Sequence, residues 1–413
     1  MSTLSNFFFL STGFLFLLPS FPLLGQENPP LDAPQDEKEG EHTDAPSEAV
    51  EVNFLFTYYE QEGNHSAVTG GIGTEELRDI ASKIIVNVPL DSVTSLAINT
   101  GLSFYSSAST DRIDFRVSSA SSSDFHGFFN VGVTKEKPQK QTSYGFNFGG
   151  AIESDYISTS LGGQWSKASA DGNREINLTA SAFFDRITLY LPVELRRNAN
   201  ALPGTDQRQT YQLGVVYSHV FNQRMQASIL GEVIYQRGLL STPFHRVYFE
   251  NSEELKNEKL PQNRFKYPVG IRLNYFMTDF LLLRSFYRYY YDNFGIHAHT
   301  ASLEVPVKIG SFFTFYPFYR YHTQTASQYF QPYHTHDIHD RFYTSDYDLS
   351  AFDSHYAGAG IRYAPLWGIG RFQFPWTKKL TLFKSLELRY GNYWRSDGLS
   401  AFMISLDMGF ITQ

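Results

Sequence analysis

Apolar and polar residues alternate with a period of two along most of this chain, and this pattern restricts its fold more than any other feature. In the window 96–104, bulky or β-branched residues occupy the even positions and small or polar residues the odd ones. Further windows repeat the pattern at 52–58, 176–184, 211–217 and 402–410. A period of two is the β-strand period, whereas an amphipathic helix repeats every 3.6 residues.

The length of these windows favours a membrane protein. Transmembrane strands need about 9–11 residues because they cross the hydrocarbon region at a tilt, whereas soluble strands average about five or six. Many windows here run for about ten residues. One face is aliphatic and aromatic, and the other is small, amide-rich or charged, which fits lipid outside and a polar interior. The sequence therefore predicts an all-β fold, an antiparallel transmembrane β-barrel.

The connections between windows alternate between short and long. Short turns are expected near 89–92, 221–224, 278–279 and 308–311, and long polar connections at 60–82, 238–266 and 322–354. Outer-membrane barrels show this asymmetry, with short periplasmic turns and long external loops. Seventeen candidate strands can be counted, with an ambiguity between Tyr105 and Asp155. Because such barrels have an even number of strands, we expect about 16, within a range of 14–18.

The N-terminal region indicates export. Residues 7–18 form an apolar run that fits a signal-peptide core and falls short of the roughly 20 residues of a spanning helix. We expect a signal peptide at 1–25, with a membrane-anchored N-terminus as the alternative. Residues 26–50 are predicted to be a disordered acidic tail, since 27–49 holds eight acids and one base and few aliphatic residues. Residues 51–413 are then a single barrel domain in the outer membrane.

Composition excludes several classes of protein. The chain has no cysteine, so disulfides, thiolate chemistry and a cysteine-linked lipid anchor are excluded. Its formal net charge of −8 is concentrated in the acidic tail, and no basic patch stands out, so we expect no nucleic-acid partner. The expected partners are outer-membrane lipid and small solutes. The sequence gives no indication of an oligomeric state.

A glycine-rich stretch at 60–77, EQEGNHSAVTGGIGTEEL, contains adjacent His65 and Ser66. It is not a P-loop, because no lysine follows the glycines and two glutamates would repel phosphate. A Ser/His hydrolase needs a third group and an oxyanion hole, and neither is visible. Calcium bound by the carboxylates is a further alternative. The structural interpretation is a tight bend with glycines at positive φ, followed by a short helix capped by Thr74.

This stretch, read from Tyr58 as YYEQEGNHSAVTGGIGTEEL, resembles the opening motif of the bacterial family catalogued as domain of unknown function 3570. Three later stretches are similar to that family: YSSASTDRIDF from Tyr105, RYHTQTASQYF from Arg320 and YTSDYDLSAFDSHYAGAGIRY from Tyr343. The resemblance implies an exported, outer-membrane-barrel-like protein and implies no activity. The family-typical positions are Asn64, His65, Ser66, Thr69, Gly70, Gly71, Gly73, Thr74, Glu75 and Glu76.

Histidines form a second group in HTHDIHD at 334–340, a stretch that is not typical of the family. In an extended loop, histidines two residues apart face the same way and can share a metal. His334, His336 and His339, with nearby aspartates, would suit divalent zinc, copper or nickel. A solvated loop is the alternative, and no other cofactor is expected. His297 and His299 repeat the spacing on a predicted strand.

Charged residues at alternating positions form a third group. Arginine on a lipid face near the bilayer midplane costs roughly 2–4 kcal/mol, so these residues are expected inside the barrel. The predicted network is Glu232, Arg272, Arg284, Arg288, Glu304, Arg320, Arg362, Glu387 and Arg389. A salt-bridge network that rigidifies the barrel and an anion-preferring pore both remain open. Lys384 falls on the lipid face, and we expect it near a membrane interface.

These sequence features are compatible with three functions. A barrel of about 16 strands is wide enough for an aqueous lumen unless loops fold into it, which favours a channel or transport-related barrel for small solutes. The alternatives are a closed structural or interaction barrel that binds a partner or ligand through its long loops, and a membrane-embedded hydrolase using His65 and Ser66. No catalytic residue is assigned.

Overall fold

The computed structural model describes residues 49–106, 123–196, 203–373 and 379–412. These residues fall within one compact unit, Glu48–Gln413. Within them, regular structure is almost entirely β, and the helical elements are four 3-10 turns of three residues each. None of the described helices has the length and apolar character needed to span a membrane. The predicted signal peptide and all but the last two residues of the predicted acidic tail lie outside the described residues.

The described residues form twenty strands, numbered here in chain order. Their bounds are Val50–Glu62 (β1), Leu77–Pro89 (β2), Thr94–Ser106 (β3), Ser123–Lys137 (β4), Thr142–Ile152 (β5), Tyr156–Ala168 (β6), Arg174–Leu189 (β7), Gly204–Asn222 (β8), Met225–Gly238 (β9), Arg246–Tyr248 (β10), Leu255–Asn257 (β11), Asn263–Phe276 (β12), Leu282–Asp292 (β13), His297–Glu304 (β14), Val307–Lys308 (β15), Phe313–Gln324 (β16), Phe352–Tyr363 (β17), Gly370–Gln373 (β18), Leu380–Arg395 (β19) and Ser400–Thr412 (β20).

Sixteen of these strands form a closed antiparallel barrel in which each strand pairs with its neighbours in chain order. Closure comes from the pairing of β1 with β20, which runs from Val50 opposite Thr412 to Glu62 opposite Ser400. The other four strands are short. β15 and β18 continue the lines of β14 and β17, and β10 pairs with β11 in a small hairpin within a loop. The predicted fold class and the predicted count of 16 are confirmed.

The apolar face of the barrel wall is its outer face. Leu213 on β8 and Phe146 on β5 are each 62% exposed, and Ile229 on β9 is 55% exposed. In water, a continuous apolar surface of this kind would favour aggregation, whereas in a bilayer it is the surface that faces lipid. The structure thus resolves what alternation alone left open, namely which face of each strand lies outside.

The two ends of the barrel differ, as predicted. At the turn end, short connections include residues 90–93, 223–224 and 277–281. At the loop end, long connections include residues 63–76, 239–262 and 325–351. The connection between β3 and β4, where the strand count was ambiguous, includes residues 107–122, which lie outside the described residues. Lys384 lies at the turn end, where its Nζ is 3.7 Å from Oε1 of Glu51 near the start of β1.

Candidate functional site

The long loops at the loop end pack on one another. We call residues 63–76, 239–262 and 325–351 the loop cap. Lys259 and Tyr343 exchange backbone hydrogen bonds of 3.1 and 2.8 Å, which joins the second loop to the third. Val247 and Phe249 are fully buried against Tyr343. The loop cap therefore has a hydrophobic core of its own, separate from the barrel wall.

A second core anchors the loop cap to the wall. Leu260 and Leu349, from two different loops, pack with Phe294 and Ile296 of the β13–β14 turn. That turn is fixed by Asp292, whose buried carboxylate accepts hydrogen bonds from the backbone N–H groups of Phe294 and Ile296 at 3.0 and 3.1 Å. The loops are therefore held in a defined position over the end of the barrel.

The family-typical loop docks on the other two loops through its glycines. Gly70, Gly71 and Gly73 have φ values of +86°, +90° and +83°, as the sequence predicted. A Cβ on Gly70 would lie 2.7 Å from the ring of Tyr248, and one on Gly71 would lie 2.8 Å from the carbonyl oxygen of Ser345. Glycine is needed at these two positions for its conformation and for the close approach of a neighbouring loop.

His65 and Ser66 are used for packing. The His65 ring stacks on the ring of Tyr347, and its Nδ1 lies 3.0 Å from the carbonyl oxygen of Gly71. Ser66 is buried at the start of the 3-10 turn Ala67–Thr69, and its carbonyl oxygen accepts a 3.2 Å hydrogen bond from Thr69 Oγ1. Among these contacts there is no hydrogen bond between His65 and Ser66 of the kind that would activate a serine nucleophile.

The prediction of a short helix capped by Thr74 is wrong. Glu75 donates its backbone N–H to the carbonyl oxygen of Gly63 at 2.9 Å, which pairs the two arms of the loop and leads the chain directly into β2. Asn64 lies beside Gly398 in the β19–β20 turn. Glu76 is exposed.

Glu75 points toward a set of acidic residues. Its Oε1 accepts a 3.2 Å hydrogen bond from Gln61 Nε2. Burial, with a smaller contribution from the charge of Asp348, raises the pKa of Glu75 to about 8. Burial and the charge of Asp346 likewise raise the pKa of Asp348 to about 6, although Arg395 donates a 2.7 Å hydrogen bond to it. The loop cap therefore contains carboxyl groups that are protonated over part of the ordinary pH range.

The charged residues predicted for the lumen lie on the concave side of the barrel wall. Glu304 accepts hydrogen bonds from Arg284 at 2.9 Å and from Arg389 at 2.5 Å. Glu304 lies on β14 and Arg389 on β19, so their contact passes over β16 and β17, which is possible only inside a closed wall. Side chains next to eight of the nine predicted positions, all but Arg284, are exposed on the outside: Val233, Ile271, Leu273, Tyr287, Leu303, Tyr319, Ile361 and Leu388.

The nine residues divide into several groups. Arg284, Glu304 and Arg389 form the cluster just described, and Arg362 lies opposite Glu387 in the β17–β19 ladder. Glu232 accepts a 3.0 Å hydrogen bond from Gln212 and lies near Arg288. Guanidinium groups also lie over aromatic rings, at 5.8 Å for Arg272 on Phe286, 5.0 Å for Arg320 on Tyr356 and 4.9 Å for Arg389 on Tyr316.

The three loop histidines are not brought together. Nδ1 of His334 lies 2.9 Å from the carbonyl oxygen of Phe249, and Nε2 of buried His336 lies 2.9 Å from that of Thr344. His339 uses its backbone N–H to bind Asp337. On the outer surface, His297 and His299 are hydrogen-bonded to different tyrosines, Tyr289 and Tyr287.

A different group converges instead. In the described part of the chain, His245, Glu258 and Asp346 are buried and place one potential ligand atom each within 4.8 Å of the others. Sequence reasoning missed this group because its members are far apart along the chain and have no motif spacing. The one available signal was that His245 and Glu258 both lie in the 238–266 connection, which the sequence predicted to be long and polar.

The fold and loop cap define the class of protein as a closed sixteen-stranded β-barrel with one end covered by packed loops. The chain belongs to the family described as Protein of unknown function (DUF3570), whose profile matches residues 23–364. This confirms the resemblance drawn from the sequence motifs. No curated protein matches the chain.

Several solved outer-membrane barrels are similar in fold. A bacterial polysaccharide outer membrane secretin has 9% identity and a TM-score of 0.44, with 87% of this chain and 97% of that chain covered. The siderophore receptor PirA from Acinetobacter baumannii has 10% identity and a TM-score of 0.43, with 83% and 52% covered. CdiB from the same organism has 10% identity and a TM-score of 0.45, with 87% and 60% covered. This chain thus spans about half the length of the receptor, and similarity at this level says nothing about activity.

Proposed function

We propose that the protein is exported, spans the bacterial outer membrane and carries small solutes through its barrel, with a preference for anions. The observation that carries this proposal is the row of arginines laid over aromatic rings on the concave side of β12–β19. Two further features support the membrane location and the sign of the preference.

A belt of aromatic rings supports the membrane location. Near the loop end of the outer surface, successive ring centroids are 6.4 Å apart for Tyr211 and Tyr235, 4.5 Å for Tyr235 and Phe265, 6.5 Å for Phe265 and Tyr267, and 6.2 Å for Tyr267 and Tyr291. Tyrosines concentrate at membrane interfaces because the ring is apolar while the hydroxyl stays hydrated. The exposed aliphatic residues lie beside this belt, where the hydrocarbon region is expected.

The interior charge supports a preference for anions. The nine predicted network residues comprise six arginines and three glutamates, a net charge of +3, and Asp407 opposite Glu387 lowers this to +2. Contact with Phe286 and Tyr356 holds Arg272 and Arg320 along the wall, since a guanidinium group is attracted to the face of a ring. A positively charged wall inside a low-dielectric shell lowers the energy of an anion in the lumen and raises that of a cation.

Ion selectivity in planar bilayers tests the proposal. The full-length protein is expected to conduct, and a salt gradient should give a reversal potential of the sign expected for an anion-preferring pore. Replacing both Arg272 and Arg320 by glutamine should reduce the anion-to-cation permeability ratio, whereas replacing both by lysine should largely retain it. Folded protein that prefers cations, or whose preference is the same in the glutamine variant, would contradict the proposed anion preference.

The loop cap favours a second candidate, a closed barrel that binds a partner or ligand on its outer surface. Packed loops with their own core present a fixed surface, which suits recognition because little ordering is required on binding. This function requires no conductance. If the folded protein gives no current even when the loop cap is shortened, the channel proposal fails and the interaction barrel remains.

A further inference from the structure

The β10–β11 hairpin brings two residues of the loop cap together. His245 immediately precedes β10 and Glu258 immediately follows β11, and Glu258 donates its backbone N–H to the carbonyl oxygen of His245 at 2.9 Å. The backbone pairing of Lys259 with Tyr343 lays the 325–351 loop alongside this hairpin. Asp346, three residues after Tyr343, therefore comes to the same place.

The three side chains converge at distances close to those of a metal site. His245 Nδ1 lies 3.8 Å from Glu258 Oε1 and 3.8 Å from Asp346 Oδ2. Ligand atoms about 2.1 Å from a tetrahedral ion are about 3.4 Å from one another. The ligand atoms of Glu258 and Asp346 also lie within 4.8 Å of one another. Side-chain rotations that move these atoms by about an ångström would thus place all three around one ion.

All three residues are buried, with exposures of 4% for His245, 2% for Glu258 and 6% for Asp346. His245 Nδ1 is enclosed and has no hydrogen-bond partner. A buried polar atom without a partner costs free energy, and two buried carboxylates cost more unless a cation compensates them. A divalent ion would give the imidazole nitrogen a partner and would compensate the negative charge of the two carboxylates.

Both carboxylates are already oriented by other groups. Glu258 accepts hydrogen bonds from Thr344 Oγ1 at 2.5 Å and from the backbone N–H of Thr242 at 2.6 Å. Asp346 accepts one at 3.0 Å from the backbone N–H of Asp348. Hydrogen bonds of this kind fix the orientation of ligating carboxylates in metal sites, and their loss weakens metal binding.

We propose that His245, Glu258 and Asp346 bind one divalent transition-metal ion of the zinc class. An imidazole nitrogen with two carboxylate oxygens suits zinc better than calcium or magnesium, which are bound by oxygen ligands. Since the ligands come from two loops, the ion would tie residues 239–262 to residues 325–351 and stabilise the loop cap. The site does not depend on whether the barrel conducts solutes.

Calorimetry with zinc on the full-length, chelator-treated protein in detergent tests the proposal. We expect binding of one Zn²⁺ per chain. Asp346→Asn and His245→Ala should each weaken the affinity by about 100-fold or more, since removing a ligand is at least as costly as removing a group that orients one. His339→Ala is the matched control, because it removes an exposed imidazole from the same loop and should leave the affinity unchanged.

X-ray absorption at the zinc edge of the wild-type protein adds a test that needs no variant. One imidazole with oxygen ligands is the expected coordination, whereas two or three imidazoles would place the metal at other histidines of the chain and overturn the assignment. Two other results would also overturn it: folded wild-type protein that binds no zinc, or a folded Asp346→Asn variant of unchanged affinity. In either case the three residues form a buried ionic cluster without a metal.

Discussion

The imidazole of His65 lies flat on the ring of Tyr347, with ring centroids 3.8 Å apart and planes inclined by 9°. His65 follows β1, and Tyr347 lies in the loop before β17, so this stack joins loops that are distant in sequence. The most specific sequence motif of the family is thus a docking element. A motif rich in glycine and glutamate that contains a His–Ser pair invites a catalytic interpretation, but here its residues fix one loop against two others.

Gly71→Ala is expected to destabilise the loop cap. The substitution combines a strained positive φ with a Cβ that would lie 2.8 Å from the carbonyl oxygen of Ser345, and strain at such positions costs about 1–3 kcal/mol. Gly172→Ala is the control, because Gly172 also has a positive φ but no atom lies within 4 Å of its added Cβ. Limited proteolysis should cut the loop cap faster in the first variant. Equal rates in both would contradict the docking role.

The loop cap is expected to loosen as pH rises through about 8. The folded state holds the pKa of Glu75 at about 8, mainly through burial, well above the ordinary value of 4.5. Between these values the folded state retains a proton that the unfolded state releases, so stability is fully present below about pH 4.5 and is lost as pH rises toward 8. The nearby charges of Asp348 and Asp346 raise the pKa of Glu75 further, and the charge of Arg395 lowers it.

Glu75→Gln should remove most of this pH dependence, because the amide is neutral throughout. Glu76→Gln is its control, since Glu76 is the exposed neighbour. Proteolysis rates of the loop cap between pH 5 and pH 9 measure the effect. A wild-type rate that is constant over this range would show that Glu75 is not held protonated.

Leu213→Arg is expected to cost about 2–4 kcal/mol in a bilayer, the range for arginine on a lipid face near the midplane. Leu213 lies in the middle of β8 and is strongly exposed on the outer wall. Gln212 lies on the same strand and points inward toward Glu232. Gln212→Arg should therefore cost much less stability than Leu213→Arg. Urea unfolding from lipid vesicles compares the two variants. A cost for Leu213→Arg no larger than that for the inward control would argue against a lipid-facing wall.

Glu304→Gln is expected to strengthen anion preference with little loss of stability. The change raises the lumen charge by one and removes the carboxylate shared by Arg284 and Arg389. These side chains are partly exposed, so the ion pairs contribute only about 0–1 kcal/mol each. Glu304→Asp keeps the charge and serves as the control. An unchanged permeability ratio in the glutamine variant would indicate that this cluster does not line the path taken by solutes.

The wall of the barrel was predictable because its physics is local. The alternation of Gln212 and Leu213 assigns each to a face. The same rule applied along the chain gives seventeen candidate strands, and the even number required of such barrels reduces this to about sixteen. The inward position of Arg389 follows from the cost of burying arginine in lipid. These inferences need only the period of a strand and the polarity of the surroundings.

The loop cap was not predictable in this way, because its order comes from contacts between loops. The strands of the β10–β11 hairpin are three residues long, too short to show a period, so nothing in the sequence joined His245 to Glu258. The metal prediction assumed an extended loop in which alternate histidines face the same way. The backbone is not extended at His334, which has a positive φ of 58°. Thr74 has a good capping side chain, but pairing across the loop prevents the helix.

The pairing of β1 with β20 has a consequence for how the barrel assembles. These strands are more than three hundred residues apart, so the contact that seals the wall is among the last that a growing chain can make. Contacts this distant in sequence slow folding. Until β20 arrives, β1 and β19 each expose an unpaired edge that another chain can extend, which is a route to aggregation. Assembly must therefore protect these two edges until the final strand is in place.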